Sequence, residues 1–85
     1  MKERWILGVR VADRQAATDS VQTVLTRFGC TIRTRLGLHD GGGVRGATGG
    51  LILLELTGDQ NEFHKLENEL LALDGVDVRK MVFDE

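Results

Sequence analysis

Residues 41 to 46 read GGGVRG, and Gly41, Gly43 and Gly46 reproduce the G-x-G-x-x-G spacing of a phosphate-cradling loop. Such a loop works when a strand precedes it and a helix N-terminus follows, because the helix amides and dipole hold the pyrophosphate. Here the glycines lead into LILLELT, a run with the length and composition of a strand, and no P-loop lysine accompanies them. The segment is therefore expected to be a connection between two strands, glycine-rich because it must bend and clear a partner. The other chemistry open to it is an anion site at a subunit boundary, where Arg45 and the loop amides of Gly42, Gly43 and Gly46 close over a small ligand.

Arg33 and Arg35 stand two residues apart in CTIRTRL, a spacing that puts both on one side of an extended chain. A pair so placed either clamps a carboxylate or phosphate, or guards an edge strand against unwanted pairing. The guard is the expected role, with ligand binding as the alternative. His39 with Asp40, Cys30 and His64 have metal-binding atoms but none of the spacings that build a metal site. They read as a solvated loop histidine, a small buried thiol and a solvated helix histidine, although an interface between copies would bring two His39 side chains together. No serine, histidine and aspartate arrangement and no paired carboxylate suggests catalysis. Neither an enzyme nor a resident cofactor or metal is expected.

The bulk properties agree with a small folded module. Eighty-five residues with 41% hydrophobic and 28% charged side chains make one domain, 1–85, too small to enclose a deep private cavity. A net charge of -2 gives no basic surface for nucleic-acid phosphates. One cysteine fits a reducing compartment, and no apolar run has the length of a membrane span. A cytoplasmic protein without membrane contact is expected.

The elements that position these residues follow from periodicity. Trp5, Leu7, Val9 and Val11 alternate along a first strand, after which Asp13 is placed to cap a helix carrying Ala17, Val21, Val24, Leu25 and Phe28 on one stripe. Gly29 stops that helix, and Cys30 to Leu36 alternates as a second strand. LILLELT is apolar on both faces and is expected in the centre of a sheet. Asp59 and Glu62 form an acidic capping box for a second helix with Phe63, Leu66, Leu70 and Leu73 inward, and VDVRKMVF follows the Asp74-Gly75 turn as a fourth strand.

The order β-α-β-β-α-β is the split βαβ, ferredoxin-like arrangement: α+β, a four-stranded antiparallel sheet in the order 4-1-3-2, both helices on one face. Its other face is then bare. With Trp5, Leu7 and Val9 under the helices, that face presents Ile6, Gly8, Arg10, Leu51, Leu53, Glu55, Arg33, Arg35, Arg79, Met81 and Phe83, unless a strand slips by one residue and exchanges its faces. An apolar centre of this kind predicts cover by a second copy, with Ile6, Leu51, Leu53, Met81 and Phe83 at the interface of a dimer or tetramer. RNA binding on this face needs aromatic rings on the first and third strands, and the third has none. An iron-sulfur ferredoxin needs four cysteines.

The segments RWILGVRVADR, LTRFGCTIRTRLGL, GGLILLELTGD and LLALDGVDVRKMVF together cover nearly the whole chain. In this combination, with RLGL at Arg35 to Leu38 and LTGD at Leu56 to Asp59, the chain resembles the iron-only hydrogenase system regulator family. These are small ACT-like proteins that are also similar to the C-terminal regulatory domain of nickel-responsive repressors. The resemblance implies a cytoplasmic ACT-like homo-oligomer, a ligand-binding regulatory domain acting beside proteins that build or control that hydrogenase. The chain departs from amino-acid-binding ACT domains at Ala12 to Ala17, where ADRQAA stands in place of a proline-glycine turn, and it has no counterpart of the nickel repressors' histidine and cysteine set. Two functions follow as expectations: a non-enzymatic sensory module with a small effector between subunits, or a ligand-free subunit docking on a hydrogenase-maturation protein.

Overall fold

In the computed structural model, residues 2–38 and 50–85 are described. They form β1 (Glu3–Val11), α1 (Gln15–Arg27), β2 (Ile32–Leu38), β3 (Gly50–Leu56), α2 (Gln60–Leu71) and β4 (Val76–Asp84). The sheet runs β2-β3-β1-β4 with every pairing antiparallel, the expected order read from the other edge. The central position of β3 follows from its composition, since only a strand with neighbours on both edges satisfies its backbone while carrying apolar side chains on both faces.

One face of the sheet and the inner stripes of the helices make the core. Trp5, Leu7, Val9 and Val11 of β1 join Leu54 and Leu56 of β3 and Val78 of β4. Ala17, Val21, Val24 and Leu25 of α1 and Phe63, Leu66 and Leu70 of α2 close over them. Trp5 packs its ring against Phe63 and His64, with centroids at 5.5 and 5.0 Å, and receives the Lys80 ammonium over its face at 4.3 Å. Its indole N–H donates to a Glu3 carboxylate oxygen at 3.0 Å, so this large buried side chain has its one polar atom satisfied.

Local details depart from the sequence expectations in four places. Helix α1 starts on an extended Arg14 with no side-chain cap, one residue beyond Asp13. Asp59 does cap α2, accepting from the Asn61 amide at 2.8 Å, but Glu62 turns to Lys65 at 3.0 Å and leaves the capping box half made. Cys30 is exposed and Thr31 buried, the reverse of the expected alternation, because the chain is still in a turn there: the Thr31 amide donates back to the Phe28 carbonyl at 2.9 Å. The fourth departure, in β2, changes the functional surfaces.

Opposite β3, Ile32 aligns with Leu56, yet the next aligned pair is Thr34 with Glu55. Two residues of β2 thus stand against one of β3, which is a β-bulge, and every side chain beyond it is carried to the other face. Ile32 remains toward the core. From Thr34 onward, Thr34, Leu36 and Leu38 share the open face with Glu55, Leu53 and Leu51, while Arg35 and Gly37 share the helix face with Leu54 and Ile52.

Candidate functional site

The open face can be read in rows across the sheet, because aligned residues in antiparallel strands point the same way. One row is Thr34, Glu55, Ile6 and Met81; the next is Leu36, Leu53, Gly8 and Arg79; the third is Leu38, Leu51, Arg10 and Asp77. Phe83 lies beyond the first row, aligned with Arg4. All five residues expected at the interface, Ile6, Leu51, Leu53, Met81 and Phe83, are brought to this face. Leu36, 52% exposed, and Leu38 extend it to the β2 edge. Alternation counted from Cys30 assigns Leu36 to the core, and the bulge is what brings it here; Leu38 lies two residues past the expected end of the strand.

Arg35 moves the other way. It sits on the helix face, and its guanidinium donates to the Gln22 side-chain oxygen of α1 at 2.9 Å. There it lines a cavity of about 510 Å³. The walls are Val11, Ala12 and Asp13 from the β1–α1 turn, Thr18, Val21 and Gln22 from α1, and Ile52 and Leu51 from β3. Leu38 and Gly50, which bracket residues 39–49, also line it. An apolar floor thus meets a guanidinium, a carboxylate, a hydroxyl and an amide, the composition of a small-molecule site.

Arg33 does not share that cavity. It lies at the bulge and lines a smaller one of about 290 Å³ at the opposite end of the strands, with Arg4, Glu55, Thr57, Gln60 and Glu85. The expected pairing of Arg33 with Arg35 on one side is therefore corrected, and the two cannot clamp one ligand. In the smaller cavity the carboxylates already have partners: Glu55 accepts from the Thr34 hydroxyl at 2.9 Å and lies 3.6 Å from Arg4, Glu85 lies 3.1 Å from Arg4, and Glu3 accepts from Gln60 at 2.6 Å. Its carboxylates are held within the chain, and the larger cavity, walled by more apolar side chains, is the stronger candidate.

The remaining candidates, Gly42, Gly43, Arg45 and Gly46 with His39 and Asp40, lie outside the described residues. His64 is exposed on α2 with its ring edge on Trp5. Among the described residues no three His, Cys, Asp or Glu side chains gather to hold a metal, and no helix is long and apolar enough to cross a membrane.

The element order, sheet and single helical layer define a ferredoxin-like, ACT-type fold. The chain is similar to an uncharacterized protein from Thermotoga maritima, at 27% identity and a TM-score of 0.83 over 98% of this chain and all of that one. It also shares its fold with the ACT domain of GTP pyrophosphokinase from Chlorobium tepidum, at 19% identity and a TM-score of 0.64 over 93% of this chain and 96% of the other. The regulatory subunit of aspartate kinase from Thermus thermophilus matches at 17% identity and a TM-score of 0.53, over 93% of this chain and 50% of that one. No protein-family model and no curated protein matches the chain.

Proposed function

We propose that this protein is a non-enzymatic regulatory module that takes a small anionic effector in the cavity beside Arg35 and self-associates through its open sheet face. The observation that carries the reading is the bulge in β2, which separates the two roles. It turns Arg35 to the helix side, over a cavity walled by the β1–α1 turn, and leaves Leu36 and Leu38 to enlarge the apolar face. The Thermus structure that shares this fold is the regulatory subunit of aspartate kinase, and the Chlorobium one is the ACT domain of a GTP pyrophosphokinase, which supports a regulatory role here.

The Arg35 guanidinium is the group that would recognise a carboxylate or phosphate, and Asp13 and Thr18 would discriminate among the ligand's other polar groups. Arg45 and the amides of Gly42, Gly43 and Gly46, which lie outside the described residues, belong to this proposal on the sequence alone, as further groups for an anionic ligand. Occupancy regulates by favouring one association state, to the extent that the two states differ in affinity for the ligand. The family resemblance supplies the setting, the iron-only hydrogenase system, and with it a cytoplasmic location and a maturation protein as the downstream partner.

The test is a thermal-shift panel of amino acids, nucleotides, inorganic anions and divalent metals on the wild type and on Arg35→Ala. An anionic compound that raises the melting temperature of the wild type and not of Arg35→Ala supports the site. A flat response across the panel refutes it and favours the ligand-free docking subunit instead.

A further inference from the structure

Gly8 stands in the middle of β1, an interior strand, aligned with Leu53 of β3 on one side and Arg79 of β4 on the other. A glycine in such a place weakens the strand, because it adds backbone freedom to the unfolded chain and packs no side chain. Nothing within the chain asks for it. Among the described residues the glycines with positive φ are Gly58 and Gly75, so Gly8 has a backbone that any residue adopts. A Cβ built at Gly8 meets the Leu53 side chain at 3.8 Å and the Arg79 carbonyl oxygen at 3.9 Å, both ordinary contacts. What the missing side chain does provide is a hollow at the centre of the open face. Ile6 and Arg10 flank it along β1, and Leu36, Leu51 and Met81 stand exposed around it.

The face itself indicates what enters the hollow. Its three rows carry Glu55 and Asp77 against Arg10 and Arg79, two charges of each sign, so it neither repels its own copy nor selects a partner of one charge. Symmetry then supplies the side chain. Because Leu53 is aligned with Gly8, a two-fold axis lying between two stacked sheets, along the strands and midway between β1 and β3, sets Leu53 of each copy over Gly8 of the other. Stacked sheets lie about 10 Å apart, a gap that one large side chain over a bare backbone fills and two large side chains hold open. The sheets cross at about 30°, so this superposition belongs to the central row and lapses toward the strand ends.

We infer that Gly8 is the socket of the face-to-face contact and that it receives Leu53 of a second copy, twice over by symmetry. The inference rests on the open-face association proposed above and adds to it the pair of residues that sets how closely the two sheets approach.

The experiment is sedimentation velocity over a concentration series on the full chain, with circular dichroism to confirm folding. Gly8→Ala should raise the dissociation constant about tenfold, and Gly8→Val should raise it further, because each fills the socket. Neither should lower the urea midpoint measured at concentrations where the chain is dissociated, since a Cβ at this position makes ordinary contacts within the chain. Gly37→Ala is the control: Gly37 lies on the helix face of β2 with nothing within 4 Å of its Cβ, and its variant should associate like the wild type. Adding Leu53→Ala to Gly8→Val shortens the knob that the filled socket rejects, and the double variant should associate more tightly than Gly8→Val alone. A self-associating wild type whose folded Gly8→Ala variant associates equally well overturns the socket and leaves the open-face reading standing. Equal weakening by Gly37→Ala overturns the socket too, and a double variant no tighter than Gly8→Val overturns Leu53 as its occupant. A wild type that stays monomeric throughout the series overturns the open-face reading and the socket with it.

Discussion

The Arg35 guanidinium donates to Gln22 at 2.9 Å, both residues lining the larger cavity, while Leu36, the next residue in the strand, lies on the opposite face of the sheet, aligned with Leu53. Adjacent residues of one strand thereby serve the two proposed functions. Each can be removed without touching the other, which makes the functions separable by mutation.

Arg35→Ala should leave the fold stable to within about 0.5 kcal/mol, as expected for an exposed side chain outside the core. It should abolish the melting shift produced by any anionic effector. Differential scanning fluorimetry with and without ligand reads both effects, and a variant that keeps the ligand shift removes Arg35 from the site.

Leu53→Arg puts a charge at the centre of the open face. Covering one large aliphatic side chain is worth roughly 1.5 to 3 kcal/mol, so the dissociation constant for face stacking should rise at least about tenfold. Sedimentation velocity over a concentration series measures it. Wild-type behaviour of this variant would mean that the face stays uncovered in solution.

Glu3→Ala takes away the acceptor of the Trp5 indole, whose residue is only 2% exposed. Leaving that buried N–H without a partner should cost about 1 to 3 kcal/mol. Urea unfolding followed by the fluorescence of the single tryptophan gives the value directly, and a loss below a few tenths would mean that water replaces the carboxylate.

Gly75 and Gly58 both have positive φ, 76° and 99°, and both should resist substitution by alanine for that reason. The strain alone is worth about 1 to 2 kcal/mol. Gly75→Ala should cost more than Gly58→Ala, because a Cβ at 75 runs into the Arg14 guanidinium and approaches Ala12 Cβ at 3.2 Å, whereas nothing stands within 4 Å of a Cβ at 58. Thermal unfolding of the two variants should rank them in that order.

Much of this architecture is legible from local pattern. The alternation of Trp5, Leu7, Val9 and Val11 and the helical stripes through Val21 and Leu66 name the buried faces correctly, because a strand or helix with one apolar side has only one way to bury it. The two apolar faces of β3 likewise place it inside the sheet. The Asp59 cap was legible too, since its hydrogen bond closes within two residues. Asp13 failed as a cap because the chain needed one more extended residue, Arg14, before α1 could turn.

What the sequence by itself determined, then, is the order of elements, the sheet they build and the bare apolar face at Ile6, Leu53 and Met81. Only the tertiary structure decided which way Arg35, Leu36 and Leu38 point and which cavity holds Arg33. The reason is that an alternating pattern defines a face only relative to its own first residue. A single bulge, set by how β2 must align with β3 while Ile32 stays in the core, reverses everything that follows, and no residue near Arg33 announces it.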